Sequence, residues 1–246
     1  MQDLDRIRQE VWLQLQSVAF PDSRFHWDFT AFVPDYAGSE ECTRAIQQTK
    51  RYQQSRVIMV TPDNNLASLR SKALDDGKQL VVPTYAIGRG FWQISRQDVP
   101  KGQEDFSATL DGMEKYARPF PIEHVLAEDR PTLMVTGASV LNLQGVRLSP
   151  SPSYFDLEWL ILSSLGIVDQ QTPIFAAVHD CQVVDCQCDP EPFSVVADWI
   201  ITPTRAFPTR SPFPRPESIT AAKLPWHLIK SIPLLRTIYE QEFHHS

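Results

Sequence analysis

RVIMVTPDNNLASLRSKALDDGKQLVVPTY, residues 56–85, contains a complete folding unit. RVIMVTP is a short apolar run closed by a proline, too short for a helix and without polar alternation, as a strand buried on both faces requires. NLASLRSKALDD, residues 65–76, has helical periodicity and stops at Gly77, which suits the left-handed position past a helix end. QLVVPTY is a second strand. Two short strands joined through a helix of this length form a parallel crossover unit, because the helix must cover the sheet it leaves.

The same pattern extends outward from this unit. PTLMVTG (131–137), TPIFAAVHD (172–180) and DWIITPT (198–204) read as further strands, making at least five, and GFWQI (90–94) as another. Upstream, Leu4, Ile7, Val11, Leu15 and Val18 form an amphipathic stripe behind a possible Asp3 cap. SEECTRAIQQTKRYQQ (39–54) has acidic residues first and basic residues late, the order favoured by the helix dipole. YFDLEWLILSSLG (154–166) is apolar around most of its circumference and is expected to be buried deeply. The fold class is therefore α/β: a mostly parallel sheet flanked by helices, filling residues 1–204. After Thr204, TRAFPTRSPFPRP reads as an extended linker, ordered on contact or mobile, within a Pro/Arg-rich extension over 205–246 that ends in a short helix at LLRTIYEQEF.

Composition narrows the function. With 23 basic against 30 acidic residues in 246, the net charge is −7, so binding to nucleic acid would need a local basic patch and is not expected. No apolar run approaches the length of a membrane span, and the N-terminus mixes both charges, unlike a secretory signal; a cytoplasmic protein is expected. Cys42 stands alone, while Cys181, Cys186 and Cys188 crowd together without a C-x-x-C pair. VHDCQVVDCQC can be drawn as a soft-metal site, but a strand end whose polar residues line a pocket mouth fits the spacing better.

Seven segments in order resemble the 5-formyltetrahydrofolate cyclo-ligase family, especially its branch of methenyltetrahydrofolate-synthase-domain proteins. They are IRQEVW, FVPDYAGSEE, VIMVTPDNNLASLRSKALDDGKQLVVP, LMVTGASVLNLQGVRL, SYFDLEW, VHDCQVVD and DWIITPT, together covering about residues 6–204. The resemblance implies a fold shared with glucosamine-phosphate isomerases, ribose-phosphate isomerases and CoA transferases. It also implies a parent reaction in which MgATP activates the formyl oxygen of 5-formyltetrahydrofolate and ring closure expels the phosphate, giving 5,10-methenyltetrahydrofolate. ATP and Mg2+ are its implied cofactors, and its implied partner is a small molecule, a reduced folate or another phosphate-bearing metabolite.

On that resemblance the nucleotide- or anion-binding positions are Arg8, Arg147, Ser149, Ser151, Ser153 and Tyr154, the metal position is Asp156, and the substrate pocket takes in Pro34, Tyr36, Gly137, His179 and Asp180. The clamp departs from the family pattern. Ser149, Ser151, Pro152 and Ser153 stand at family glycines and Pro150 at a lysine. A phosphate nest needs inward backbone N–H groups, and proline has none. The loop is either a rigid connector or a residual site for one small anion at a helix N-terminus. Asp156 and Glu158 have a simpler reading as a helix cap and a residue favoured by the helix dipole, Arg70 and Lys78 as a solvated basic face, and Phe25, Trp27 and Phe29 as a pocket wall or a lid. The expected function is a divergent cyclo-ligase-family protein whose ATP-dependent activity is weakened, lost or replaced. The alternative is a non-catalytic binding or scaffold protein using the Ser-Pro loop and the C-terminal extension.

Overall fold

The structure, a computed structural model, describes residues 4–148 and 152–244. Asp3, Ser149, Pro150 and Ser151 lie outside the described residues. The amphipathic N-terminal stripe forms α1 (Leu4–Gln16). The second expected helix is divided at Gln48 and Thr49 into α2 (Ser39–Gln47) and α3 (Lys50–Gln54), because the Thr49 hydroxyl turns to cap the new helix by accepting from the Tyr52 N–H. β1 (Val57–Val60), α4 (Ala67–Asp75) and β2 (Gln79–Pro83) form the crossover unit, and Gly77 occupies the left-handed region at φ 74°.

β3 (Phe91–Ile94), α5 (Glu104–Ser107), α6 (Leu110–Tyr116) and β4 (Arg118–Pro119) follow. The second half holds β5 (Met134–Thr136), β6 (Leu141–Asn142), α7 (Tyr154–Ser164), β7 (Ile174–Ala177), β8 (Val183–Val184), β9 (Trp199–Ile201) and β10 (Ala206–Pro208). α8 (Trp226–Ser231) and α9 (Pro233–His244) close the described chain.

The main sheet runs β10-β9-β7-β5-β1-β2-β3-β4. Its centre, β9-β7-β5-β1-β2, is parallel, and antiparallel strands complete both edges. Side chains alternate between two cores, as the two-residue strand period demands. Val57 and Met59 of β1 pack with Trp159 and Leu160 of α7 and with Ile229 and Leu235 from α8 and α9. Ile58 and Val60 pack on the opposite face with Ile46, Leu69 and Leu74 from α2 and α4. Helices therefore cover both faces, which explains the continuous apolar runs of the central strands. α7 is buried from Phe155 to Leu162, as its all-round apolar character requires.

The stretch after Thr204 is extended but anchored. Residues 206–208 are hydrogen-bonded to β9, with Phe207 opposite Ile200. Arg215 is buried, donates to the carbonyls of Val196 and Thr172 at 3.2 and 3.0 Å, and pairs with Asp198. The Trp159 indole N–H donates to the Pro216 carbonyl at 2.8 Å, tying the extension to α7. Arg70, expected on a solvated face, is 1% exposed, because its guanidinium binds loop carbonyls instead of water. Lys78 is also buried, over the Tyr52 ring, with Nζ donating to the Ser55 carbonyl at 2.7 Å. Among the described residues no helix is long and apolar enough to cross a membrane.

Candidate functional site

The chain leaves β1 toward β2 on one side, while β5, β7 and β9 build the other side. The crevice beyond the carboxyl ends of β1 and β5 is therefore the switch point where open α/β sheets bind ligands. A cavity of about 320 Å³ lies there. Its floor comes from Thr61 to Asn64 after β1 and Gly137 to Ser139 after β5. The two loops are joined where the Gly137 N–H donates to Asp63 Oδ2 at 2.8 Å. A Cβ at Gly137 would lie 2.9 Å from Val33 Cγ1 and from Asn65 Oδ1, so only glycine permits this approach.

The floor is held from behind. Arg70 Nη1 donates to the carbonyls of Thr61 and Asp63 at 2.6 and 3.0 Å, and its Nε to the Ala108 carbonyl at 2.8 Å. Burial lowers its pKa to about 10, which still leaves it charged at neutral pH. The Gln182 amide donates to the carbonyls of Ala138 and Ser139 at 2.6 and 3.0 Å. Trp12 of α1 donates to Ser139 Oγ at 2.5 Å. The opposite wall is aromatic. The Phe25 and Phe32 rings stack with centroids 4.9 Å apart, and Tyr85 stacks on Phe25 at 5.8 Å. Phe25 and Phe29 thus form a wall, whereas Trp27 is 40% exposed and lies outside the lining.

The fourth side is the start of α7. Ser153 is the N-cap: its hydroxyl accepts from the Asp156 N–H, while the Asp156 carboxylate accepts from the Ser153 N–H at 2.8 Å and its hydroxyl at 2.9 Å. The other Asp156 oxygen accepts from the Val195 N–H at 2.8 Å and is ion-paired with Arg147. Both side chains of that pair are nearly fully buried, at 6% and 5% exposure. The guanidinium also donates to Ser153 Oγ at 2.8 Å and lies 4.5 Å above the Phe155 ring. Pro152, beside them on the lining, has no N–H to offer.

Two carboxyls that the sequence reading did not place in the pocket line it, Asp63 in the floor and Glu158 in this wall. Asp63 is raised in pKa by burial, against the Thr61 hydroxyl and the Gly137 N–H that favour its charged form. Glu158 is 3% exposed and lines the cavity. Burial holds it well above the usual carboxylate range, the nearby Asp63 adds to this, and Arg147 opposes it. Among the described residues, its Oε2 and Arg147 Nε are buried without hydrogen-bond partners.

The expected site residues therefore divide. Gly137, Arg147, Ser153 and Tyr154 line the cavity. Arg8 is not on the lining; its Nη1 donates to the Leu148 carbonyl at 3.2 Å. Ser149 and Ser151 fall outside the described residues. Pro34, Tyr36, His179 and Asp180 are not on the lining. Tyr36 is buried, its hydroxyl 3.6 Å from Cys42 Sγ and its ring edge-on to His179. His179 caps a short turn, its Nδ1 3.2 Å from Cys181 Sγ, and Asp180 binds the Thr202 and Thr204 hydroxyls at 2.6 Å each.

Asp156 does not fit the magnesium role. Four donors, one of them cationic, fill its acceptor positions, leaving no free lone pair for a hard cation. Among the described residues no three His, Cys, Asp or Glu side chains are grouped to hold a metal ion.

Comparison with known proteins places this geometry. The sequence profile of the 5-formyltetrahydrofolate cyclo-ligase family matches residues 2–203. Curated relatives include methenyltetrahydrofolate synthase domain-containing proteins of Homo sapiens, 30% identical over 96% of this chain and 61% of its own length, and of Bos taurus, 29% identical over 96% and 62%. The chain thus spans about three fifths of the relatives it matches. The solved structure of Aquifex aeolicus 5,10-methenyltetrahydrofolate synthetase superposes with a TM-score of 0.53 at 15% identity, covering 85% of this chain and 94% of that one, and so shares the fold.

Proposed function

Because this chain belongs to the 5-formyltetrahydrofolate cyclo-ligase family, we propose that its cavity binds a reduced folate and that ATP-dependent ring closure is weakened or lost in it. The family's parent reaction converts 5-formyltetrahydrofolate to 5,10-methenyltetrahydrofolate and needs cationic and N–H donors aimed at a transferring phosphate. The observation that carries the proposal is the state of Arg147. Its charge is neutralised by buried Asp156, and a phosphate would have to displace that carboxylate and leave it unpaired. Prolines at 150 and 152 remove two donors from the same loop. The aromatic wall and the polar floor remain suited to a flat heterocycle.

The C-terminal stretch gives no observation in favour of a scaffold, since its Arg215 and Pro216 are engaged with the domain itself. Calorimetric titration tests the proposal. 5-Formyltetrahydrofolate is expected to bind without nucleotide, and a non-hydrolysable MgATP analogue to bind at least about tenfold more weakly than the folate. Tight binding of the analogue with no folate binding would overturn it.

A further inference from the structure

Glu158 lies in the most apolar helix of the molecule, flanked by Leu157 and Trp159, and is 3% exposed. Among the described residues it makes no hydrogen bond; its Oε2 is sealed inside the protein, but its Oε1 is not, on a side chain that lines the cavity. Two residues earlier, Asp156 shows what a structural carboxylate looks like here, with donors on both oxygens from Arg147, Ser153 and Val195. Burying a polar group without a partner is unfavourable in either protonation state, so Glu158 weakens the fold that holds it. Such a residue, facing a cavity, has a binding task and no structural one.

The surroundings limit what it can bind. A carboxyl has acceptor lone pairs in every protonation state, so its missing partner carries an N–H or O–H. Arg147, on the same wall, has an Nη1 that finds no acceptor among the described residues and is not sealed off as its Nε is. The unfilled acceptor and unfilled donor call for a ligand edge with a donor beside an acceptor. The facing Phe25–Phe32 stack favours a planar ring system.

We infer that Glu158 is the specificity-determining residue of the cavity and receives the N–H of a planar heterocycle's cyclic-amide edge, whose carbonyl turns toward Arg147. The ligand class is the pyrimidinones and fused rings that contain them. That the natural ligand is a folate rests on the function proposed above; the recognition chemistry does not.

Titration of the wild type, E158Q and E158M separates these points. The probes are pterin, 5-formyltetrahydrofolate and quinoxaline, a fused ring with neither N–H nor carbonyl. Pterin is expected to bind the wild type at least tenfold more tightly than quinoxaline. E158M should weaken pterin ten- to a hundredfold, as loss of a buried hydrogen bond does, and leave quinoxaline unchanged. E158Q, which keeps an acceptor, should retain pterin within about fivefold. Equal pterin affinity in wild type and E158M, no pterin binding to the wild type, or an E158M chain that does not fold would each overturn the inference. Glu158-dependent pterin binding with no binding of 5-formyltetrahydrofolate would sink the folate reading and leave the inference standing. Binding of 5-formyltetrahydrofolate untouched by E158M would do the reverse.

Discussion

Replacing Asp156 by alanine tests whether the start of α7 is a structural lock. The substitution removes one carboxylate and four accepted hydrogen bonds: from Arg147, from the Val195 N–H at 2.8 Å, and from the Ser153 N–H and hydroxyl at 2.8 and 2.9 Å. Arg147, 6% exposed, is left as an uncompensated buried cation. Breaking a buried pair from one side costs about 3–5 kcal/mol. At about 2–4 °C per kcal/mol for a chain of this size, Tm should fall by about 6–20 °C. The double variant R147M/D156L removes both charges together. It should recover most of that loss, because apolar replacement of a whole buried pair is often neutral. Thermal and urea unfolding followed by circular dichroism reads both. A D156A chain within about 1 kcal/mol of wild type, or a double variant less stable than D156A, would show that Asp156 is not held as described and is open to another partner.

Three further outcomes follow from the same geometry. The raised pKa of Glu158 means the folded state holds its proton more tightly than the unfolded chain, so wild-type stability is fully favoured below about 4.3 and declines as pH rises toward the folded pKa. E158Q lacks this titration, and its stability advantage over wild type in urea melts should grow between about pH 4 and 7; an advantage that shrinks would contradict the burial. Gly137→Ala should cost about 1–3 kcal/mol and abolish ligand binding, since its methyl meets Asn65, Val33 and Asp63 within 3.0 Å; unchanged melting and binding would mean the floor yields freely. Burial pushes the Cys42 and Cys181 thiols up to about 11, so iodoacetamide at pH 7.5 should label them about a hundredfold more slowly in the native protein than in urea; equal rates would refute it.

The parallel centre of the sheet was legible because β1, β2, β5, β7 and β9 are buried on both faces, and such strands must be short apolar runs. β4, β6 and β8 have two residues each, too few for any period to register. The 205–216 stretch looked like a linker because prolines dominate it locally. Its order comes from partners far away in sequence, such as Trp159 and Thr172, which no local pattern can display. Glu158 was read as a dipole residue for the same reason, since its place near the start of α7 was visible but its isolation among apolar neighbours was tertiary. A second acidic residue inside FDLEWLIL, beyond the Asp156 that serves the helix cap, was the available signal. Asp63 gave none, because an aspartate after a strand is common turn chemistry. His179 and Asp180 were placed at the pocket because they follow a parallel strand. β7 lies one strand beyond the β1–β5 crevice, and their side chains serve local turns instead.

The most direct measurement mixes the purified protein with MgATP and 5-formyltetrahydrofolate and follows the ultraviolet absorbance of the methenyl product. With Arg147 locked to Asp156 and two prolines in the loop, the account predicts that the folate binds and the absorbance rises at well under the ordinary enzyme rate or not at all. Turnover in the ordinary enzyme range, about 1 per second or faster, would contradict it.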